Sequence, residues 1–272
     1  MKLSIITVNL NNLEGLKRTY DSVVSQTFTD YEWLVIDGGS TDGSREFIEQ
    51  HQDKFAIWCS EPDKGIYNAM NKGIVRAKGE YLNFMNAGDC LACDETLDVV
   101  FGKERTEDIL YGYVMMGDLN GKIFKQATMK DNIFWYDLYL FALAHQGAFI
   151  RRERFGDVGL YDETYRTASD TKWFIEAILY HKATFRFIPY RIAVFEEGGI
   201  SMTSKSTEEH QSLLNSYFPS YLSAETAFDM YRLSIIQSSK ITRFLFKMVM
   251  VIAIRIKHIK DKRLLNRLSS HS

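Results

Sequence analysis

The chain has 272 residues and a formal net charge of −2; 46% of the residues are hydrophobic and 14% are aromatic. The chain has enough apolar side chains for one sizeable core, only three prolines and no low-complexity tract. These features exclude a largely disordered chain. The three cysteines are an odd set, and the N-terminus turns polar too early for a signal peptide, which predicts a reducing cytoplasm.

Strands and helices alternate through the first half of the sequence. Apolar runs typical of buried strands occur at residues 3–8, 31–36, 55–59, 81–85 and 109–113. Four helices are predicted between these strands. The first is capped by Asn11 or Asn12, the second starts near Ser44, and the other two cover residues 66–77 and 94–101. This alternation predicts βαβ units, and therefore an α/β fold with a mainly parallel sheet and helices on both faces.

The pattern changes after Tyr113. Residues 114–116 and 123–125 flank Asn120-Gly121, a dipeptide typical of hairpin turns. Helical spacing returns at 173–181, and residues 184–188 have the composition of a strand. We therefore expect one mixed-sheet domain over residues 1–205, followed by a helical extension over residues 206–272.

The last part of the chain is basic. Residues 240–272 carry nine Lys and Arg against one acid, Asp261. The apolar run 241–256 is interrupted by charges and is shorter than the roughly 20 residues that a spanning helix needs. Segment 241–263 is thus predicted to lie in the plane of a membrane surface. The alternative is an amphipathic helix that docks on the domain or on another subunit. Aliphatic residues between the basic ones argue against nucleic-acid binding.

A carboxylate stands just past the fourth predicted strand, in Asn86-Ala87-Gly88-Asp89. Open α/β sheets bind ligands at the carboxyl ends of their strands. The hard oxygens of Asp89 suit Mg²⁺ or Mn²⁺ holding a diphosphate. The alternative interpretation is a simple turn, because Asn, Gly and Asp are turn formers.

Asp37 follows the second predicted strand directly. Its carboxylate could accept hydrogen bonds from a nucleobase or a ribose, and Gly38-Gly39 would allow close backbone approach. The alternative is a tight turn capped by Ser40 or Asp42. The glycine-rich dinucleotide fingerprint is missing after the first strand, where Asn9-Leu10-Asn11-Asn12 stands, and this counts against a dehydrogenase.

Asp170 is predicted at the start of a helix, as a general base facing a sugar acceptor or as the helix N-cap. Both roles are compatible, because a helix N-terminus keeps a carboxylate ionised. Cys90 and Cys93 have the spacing of a redox or zinc motif. No second pair of ligands stands at a suitable spacing, so two small space-filling residues are the preferred interpretation.

Several motifs, in this order, resemble those of glycosyltransferase family 2, the inverting nucleotide-sugar enzymes with a GT-A fold. The resemblance covers about residues 1–200 and rests on residues 4–9, 35–42, 61–73, 84–89, 169–170 and 196–201. Val35-Ile-Asp-Gly-Gly-Ser-Thr-Asp42, for example, is similar to the family's Val-Asp-Asp-Gly-Ser-Thr-Asp. The likeness is to members from bacterial capsule, exopolysaccharide and O-antigen gene sets.

This resemblance implies transfer of a sugar from a nucleotide diphosphate-sugar. The expected nucleotide is UDP, and the expected metal cofactor is Mn²⁺ or Mg²⁺. Asp170 would be the catalytic base and Asp89 the metal ligand. Weaker candidates for contact with the acceptor or the diphosphate are His145 and Ser169. The donor site would comprise Thr7, Val8, Asn9, Asp37, Gly38, Asp63, Asn86 and Asp89.

The chain departs from the family pattern at the acidic positions. Gly38 replaces one Asp of the first motif, and Asn86 and Gly88 replace both acids of the strict Asp-x-Asp. Asp89 is then the one carboxylate ligand in that motif, so weak metal binding without nucleotide is expected. Aromatic residues at 135, 136 and 139 are expected to be core rather than sugar platforms. Roles for Tyr67, Asn68 and Lys72 stay open.

Two other functions compete with this interpretation. A sugar nucleotidyltransferase would also use a metal and a parallel sheet, but it usually has a glycine-rich basic loop where Asn9–Asn12 stand. A non-catalytic sugar- or nucleotide-binding module is the second alternative, because of the missing acids. The acceptor is expected to be a glycan or a polyprenyl-linked sugar, reached by a cytoplasmic protein bound peripherally at the inner membrane face.

Overall fold

The computed structural model describes residues 1–117, 123–126, 133–140, 143–196 and 203–218, together with Asp229. Residues 1–220 form one compact unit. The predicted turn Asn120-Gly121, the loop 197–201 and the basic segment 241–263 lie outside the described residues. In the part of the chain that is described, no helix has the length and hydropathy needed to cross a membrane.

The first half of the chain alternates strands and helices as predicted. The elements are β1 Leu3–Asn9, α1 Leu13–Val24, β2 Tyr31–Asp37, α2 Ser44–Gln50, β3 Ile57–Ser60, α3 Ile66–Arg76 and β4 Tyr81–Phe84. Asn12 is the N-cap of α1, since its side chain accepts a hydrogen bond from the amide of Gly15. The third strand begins two residues later than predicted, because a 3₁₀ turn over Gln52–Lys54 precedes it.

The second half departs further from prediction. Its elements are β5 Cys90–Leu91, α4 Thr96–Phe101, β6 Ile109–Gly117, β7 Ile123–Gln126, α5 Trp135–Leu140, β8 Ala148–Arg151, α6 Arg154–Val158, α7 Ser169–Ile175, β9 Phe185–Glu196 and α8 Ser204–Tyr217. The two strands predicted on either side of Tyr113 are the single strand β6. The helix predicted over 173–181 begins at Ser169 and ends in the π-helical turn Glu176–Tyr180. The predicted strand 184–188 continues to Glu196.

The described strands form one mixed, mainly parallel sheet in the order β3-β2-β1-β4-β8-β6-β9-β5, with β7 paired to β6. Strands β1 to β4 run parallel to one another. Strand β8 is antiparallel to both β4 and β6, and β5 is antiparallel to β9. Strands β6 and β9 are parallel. The predicted α/β class with a mixed sheet is therefore confirmed.

Dense packing around β1 places the site. Every residue of β1 is buried, and helix α3 crosses it so closely that a Cβ on Gly73 would lie 2.5 Å from Cγ2 of Ile6. Because β1 to β4 are parallel, the residues that follow them meet along one edge of the sheet. Asn9, Asp37, Ser60 and Asn86 all stand at or just beyond these strand ends.

Helix α8 belongs to this unit and contacts its other elements. Glu209 accepts hydrogen bonds from the segment before α7, and Phe218 contacts the rings of Trp135 and Tyr139. Trp135 and Tyr139 therefore belong to an aromatic cluster at this contact, in line with the core interpretation. The predicted domain boundary near residue 205 stays a prediction.

Candidate functional site

Asp37 organises the strand-end loops. It is buried, and its Oδ1 accepts hydrogen bonds from Asn9 Nδ2 at 2.8 Å and from Ser40 Oγ at 2.5 Å. Its Oδ2 accepts from the Ser40 amide at 2.9 Å, from Ser60 Oγ at 2.6 Å and from the Gly39 amide at 3.2 Å. Burial alone would raise the pKa of Asp37, but these donors hold the pKa below its usual range. The carboxylate thus ties the loop after β2 to β1 and β3.

Gly38 and Asp63 lie together beside this loop. A Cβ on Gly38 would lie 2.5 Å from Oδ2 of Asp63 and 3.2 Å from Cδ1 of Leu10. Oδ1 of Asp63 accepts from the Gly65 amide at 2.8 Å, and Leu10 is 56% exposed. The segments after β1, β2 and β3 therefore converge on one surface. Asp42, rather than Ser40, accepts from the first residue of α2, Ser44, at 3.1 Å.

Thr7 and Val8 lie beneath this surface. The hydroxyl of Thr7 donates to the carbonyl of Met85 at 2.7 Å and accepts from Trp33 Nε1 at 2.9 Å. The carbonyl of Val8 accepts from the amide of Ala87 at 3.0 Å. Both residues are buried and join β1 to the end of β4, so their side chains belong to the sheet interior.

Asp89 sits in a tight turn after β4. Its amide donates to the carbonyl of Asn86 at 2.8 Å, and Gly88 has a φ of +106°, a conformation that favours glycine. Thr19 accepts from the Gly88 amide at 3.0 Å and donates to the Asp89 carbonyl at 2.7 Å. Gln146 Nε2 donates to Asp89 Oδ2 at 3.1 Å. Burial raises the pKa of Asp89 to about 6.

A divalent cation fits this turn only with help from a substrate. Oδ1 of Asn86 is buried and has no hydrogen-bond partner among the described residues. Asn86 and Asp89 thus present an amide oxygen and a carboxylate, both ligands that Mg²⁺ and Mn²⁺ accept. Within the described ranges, no group of three or more His, Cys, Asp or Glu side chains could hold a metal. Diphosphate oxygens and waters would have to complete the shell.

Asp170 is the second buried carboxylate of the site. Its Oδ1 accepts from the Tyr67 hydroxyl at 2.9 Å and from the Thr171 amide at 2.9 Å, and its Oδ2 lies 3.0 Å from His145 Nδ1. Burial alone would raise the pKa of Asp170, but the hydrogen bonds from His145 and Tyr67 keep it below its usual range. The N-cap of α7 is Ala168, so the interpretation of Asp170 as the N-cap is wrong.

His145 links the two ends of the site. With a proton on Nδ1 it donates to Asp170, and Nε2 then accepts from Asn86 Nδ2 at 3.0 Å. Burial opposes protonation of the ring, but Asp170 outweighs burial and the pKa of His145 is raised. Ser169 is buried, and its hydroxyl has no hydrogen-bond partner in the ranges described.

One 3₁₀ turn, His145–Gly147, supplies a partner to each carboxylate. His145 faces Asp170, and the next residue, Gln146, faces Asp89. Asn83 on β4 anchors this turn, since its amide donates to the carbonyls of Gln146 at 3.2 Å and Ala148 at 2.9 Å. No role was predicted for Gln146 or Asn83. The available signals were a polar residue inside the apolar strand β4 and another just before β8.

The cysteine pair has separate surroundings. The Cys90 thiol faces the carbonyl of Gly88 at 4.0 Å, whereas Cys93 Sγ lies 3.3 Å from the hydroxyl of Tyr190 and 3.6 Å from that of Thr96. Both thiols are free. Burial raises the pKa of Cys90, and the negative charge of Asp89 adds to this. A thiol in that environment is a weak nucleophile and a weak metal ligand.

Comparisons with known proteins agree on one family. The sequence model described as "Glycosyl transferase family 2" matches residues 4–159. The "PGL/p-HBAD biosynthesis glycosyltransferase" of Mycobacterium bovis (strain BCG / Pasteur 1173P2) is 33% identical over 209 residues, covering 74% of this chain and 79% of that protein. The "Uncharacterized glycosyltransferase MT1564" of Mycobacterium tuberculosis (strain CDC 1551 / Oshkosh) is 31% identical over 182 residues, covering 65% and 69%.

Solved structures share the fold. The crystal structure of Staphylococcus aureus TarS 1–349 in complex with UDP has a TM-score of 0.60 at 18% identity, covering 84% of this chain and 68% of that one. The mannosyltransferase PcManGT from Pyrobaculum calidifontis, in complex with GDP-Man and Mn²⁺, has a TM-score of 0.56 at 15% identity, covering 93% and 80%. These likenesses agree with the GT-A architecture expected from the sequence.

Proposed function

The chain belongs to glycosyltransferase family 2, and from this premise we propose that it is an inverting transferase acting on a nucleotide diphosphate-sugar. It transfers the sugar to a hydroxyl of a glycan or lipid-linked acceptor. The observation that carries the proposal is a pair of buried carboxylates, Asp89 and Asp170. Two consecutive residues of one turn hold them: His145 contacts Asp170, and Gln146 contacts Asp89. One carboxylate serves the leaving diphosphate and the other serves the acceptor.

The donor nucleoside binds where the segments after β1, β2 and β3 converge. Gly38 lets the Asp63 side chain approach the backbone closely, since a Cβ at position 38 would lie 2.5 Å from Asp63 Oδ2. Asp37 holds this surface in shape, and Asn9 supports Asp37. UDP is the first nucleotide to test, because structures of TarS contain UDP and UDP-GlcNAc. GDP is the second, because PcManGT was solved with GDP-Man.

Asn86 and Asp89 would hold Mn²⁺ or Mg²⁺ together with the diphosphate. Bound there, the cation supplies Lewis-acid stabilisation of the negative charge that develops on the leaving group. Support comes from the free amide oxygen of Asn86 and from the Mn²⁺ in the PcManGT complex.

Asp170 acts as the general base. The acceptor oxygen attacks the anomeric carbon on the face opposite the diphosphate, the new C–O bond forms, and the bond to the diphosphate oxygen breaks. The hydroxyl proton passes to the Asp170 carboxylate, which is ionised at neutral pH because its pKa is lowered. His145 and Tyr67 hold that carboxylate in one orientation. A single in-line displacement inverts the anomeric configuration.

The biological setting proposed here is surface polysaccharide synthesis in a bacterium. The protein would work in the cytoplasm, with segment 241–263 in contact with the inner face of the membrane and a polyprenyl-linked acceptor. Flotation with anionic vesicles tests this contact by comparing the full chain with a chain that ends at Lys240. The full chain is expected to float with the vesicles and the shortened chain to stay behind. Equal flotation would refute membrane contact through this segment.

Calorimetric titration tests the donor site. UDP, GDP, CDP and dTDP are titrated with and without Mn²⁺ into the wild type, into Asp89→Ala and into Asp94→Ala, an exposed aspartate that serves as the control. One nucleotide is expected to bind in a way that needs both Mn²⁺ and Asp89. Binding unaffected by Asp89→Ala would remove Asp89 from the donor site, and no binding to any nucleotide would favour a non-catalytic module.

Product analysis separates the enzyme alternatives. A glycosyltransferase releases a nucleoside diphosphate from the sugar nucleotide, whereas a nucleotidyltransferase exchanges pyrophosphate. Release of UDP or GDP from UDP-glucose, UDP-GlcNAc or GDP-mannose supports the proposal. Pyrophosphate exchange would overturn it.

A further inference from the structure

Glu209 on α8 reaches back to the segment that leads into the helix of the proposed base. Its Oε1 accepts from the amide of Arg166 at 2.8 Å. Its Oε2 accepts from the amide of Thr167 at 2.6 Å and from the Thr167 hydroxyl at 2.7 Å. One carboxylate from a helix some 40 residues later in the chain therefore fixes two consecutive residues at three points.

These two residues stand immediately before α7. Its N-cap, Ala168, has no side chain that could accept a hydrogen bond from the first turn. Burial alone would raise the pKa of Glu209, but the amides of Arg166 and Thr167 and the Thr167 hydroxyl lower it. Glu209 is thus an anion at neutral pH, and it holds the segment before this N-cap rather than the first turn itself.

The same helix also contacts the far end of α7. The hydroxyl of Tyr217 donates to the carboxylate of Glu176, the first residue of the π-helical turn that follows α7. Helix α8 therefore holds the base helix before its first turn and after its last one. Asp170 lies between these two contacts, three residues beyond Thr167.

We propose that Glu209 is a positioning residue for catalysis: by fixing residues 166–168 it holds Asp170 in register with Tyr67 and His145. This inference rests on the proposed role of Asp170 as the base. Among the described residues, Glu209 accepts hydrogen bonds from Arg166 and Thr167, which precede α7 rather than follow β1, β2 or β3, so we expect donor binding to be independent of it. Loss of Glu209 therefore lowers turnover and spares nucleotide affinity.

The test compares Glu209→Gln with Glu208→Gln. Both variants remove one negative charge from adjacent positions of α8, but Glu208 is exposed. In Glu209→Gln, an amide NH₂ group replaces one carboxylate oxygen and faces the groups that donate to that oxygen in the wild type.

Turnover is measured as release of UDP or GDP from whichever sugar nucleotide the enzyme uses. We expect kcat to fall about tenfold, as for the loss of hydrogen bonds to a charged group. KM for that donor and calorimetric UDP affinity stay within about twofold. Amide hydrogen exchange over residues 166–172 becomes faster. Glu208→Gln matches the wild type in all four measurements.

Equal turnover and equal exchange in the two variants would overturn the inference, as would a loss of UDP affinity as large as the loss of kcat. If Glu209→Gln does not fold, Thr167→Val removes one of the three hydrogen bonds and is measured in the same way, with a smaller fall in kcat expected. Asp170→Asn separates the two proposals. Full turnover in Asp170→Asn refutes the proposed base, whereas an inactive Asp170→Asn beside a fully active Glu209→Gln refutes only the positioning role.

Discussion

The phenolic hydroxyl of Tyr67 donates a 2.9 Å hydrogen bond to Oδ1 of Asp170, which lies 103 positions later in the chain. Tyr67 projects from α3, the helix that packs on β1, and Asp170 stands at the start of α7. His145 holds the other oxygen of the carboxylate. Both carboxylate oxygens are thus oriented by side chains of the protein itself, which is the kind of preorganisation that proton transfer in a transition state requires.

Removal of the Tyr67 hydroxyl should slow turnover without weakening donor binding. Hydrogen bonds to a charged group contribute about 1.5–3 kcal/mol, so Tyr67→Phe is expected to lower kcat by about tenfold or more. Because the Tyr67 hydroxyl helps to lower the pKa of Asp170, the acid side of the kcat profile should also move to higher pH. Tyr20→Phe is the control, since the Tyr20 ring packs among Trp33, Phe47 and Phe55. An unshifted profile with normal kcat would show that the hydroxyl has no part in orienting the base.

Replacement of Asp170 itself should have the largest effect on chemistry. Asp170→Asn keeps the shape of the side chain but cannot take up the acceptor proton, so kcat should fall on the order of 10²–10⁴-fold. Calorimetric UDP affinity should stay within about twofold, because the donor site lies on other loops. Asp94→Asn, at an exposed position, is expected to behave as wild type. Unchanged turnover in Asp170→Asn would assign the base role to another group.

Two variants of His145 separate its two hydrogen bonds. An asparagine amide nitrogen lies close to the position of imidazole Nδ1, whereas the terminal amide of glutamine reaches that of Nε2 and can place its oxygen there to accept from Asn86 Nδ2. His145→Asn therefore retains a donor toward Asp170, and His145→Gln retains a contact with Asn86 only. We expect kcat to be higher in His145→Asn than in His145→Gln, by about fivefold or more for one charge-assisted hydrogen bond. The reverse order would mean that the contact with Asn86 matters more than the contact with Asp170.

Close packing of α3 on β1 predicts a contrast between two glycines. A Cβ on Gly73 would lie 2.5 Å from Cγ2 of Ile6, whereas a Cβ on Gly156 in α6 would meet nothing within 4 Å. Gly73→Ala should therefore lower the free energy of unfolding by about 1–3 kcal/mol through overpacking. Gly156→Ala should raise it by about 0.4–1 kcal/mol by restricting the unfolded chain. Urea unfolding of both variants measures the difference, and equal midpoints would refute the packing argument.

Asp108 should make stability depend on pH. Its buried carboxylate accepts from the amide of Thr184 at 2.7 Å and from the Thr184 hydroxyl at 2.8 Å, and it lies 2.8 Å from the Arg154 guanidinium. Burial alone would raise its pKa, but these partners lower it. Since the folded pKa is depressed, the carboxylate stabilises the fold above its ordinary pKa of about 4, and this contribution is lost as the pH falls through the folded pKa.

Asp108→Asn should therefore lower Tm at pH 7 by several degrees, and the deficit should narrow at pH 3. Thermal unfolding followed by circular dichroism at the two pH values makes the comparison. Asp157→Asn is the control, because Asp157 is exposed and pairs with the same Arg154 at 3.0 Å. A deficit of the same size at both pH values would show that the titration of Asp108 does not contribute.

Local patterns were sufficient for the strands and helices of the first half. Strands β1, β2 and β4 are short apolar runs that end in turn-forming residues, and each was predicted within two residues of its observed limits. The second half was harder because its strands pair across long stretches of chain. The two-residue strand β5 exists through its pairing with β9, and β8 is placed between β4 and β6. Such pairing depends on distant partners rather than on the residues of the strand.

The sequence by itself determined which polar residues stand at strand ends, because hydrophobic periodicity and turn composition act over a few neighbouring residues. Asp37 and Asp89 could be singled out in this way, and Asp170 could be singled out by its place at the start of a predicted helix. Only the tertiary structure decided what surrounds each carboxylate. Asp37 accepts hydrogen bonds from residues at the ends of three strands. Asp89 accepts one from Gln146, 57 positions away, and Asp170 accepts one from Tyr67, 103 positions away. Hydrogen bonds and pKa values depend on distances in space, which are set when the sheet and its helices pack together.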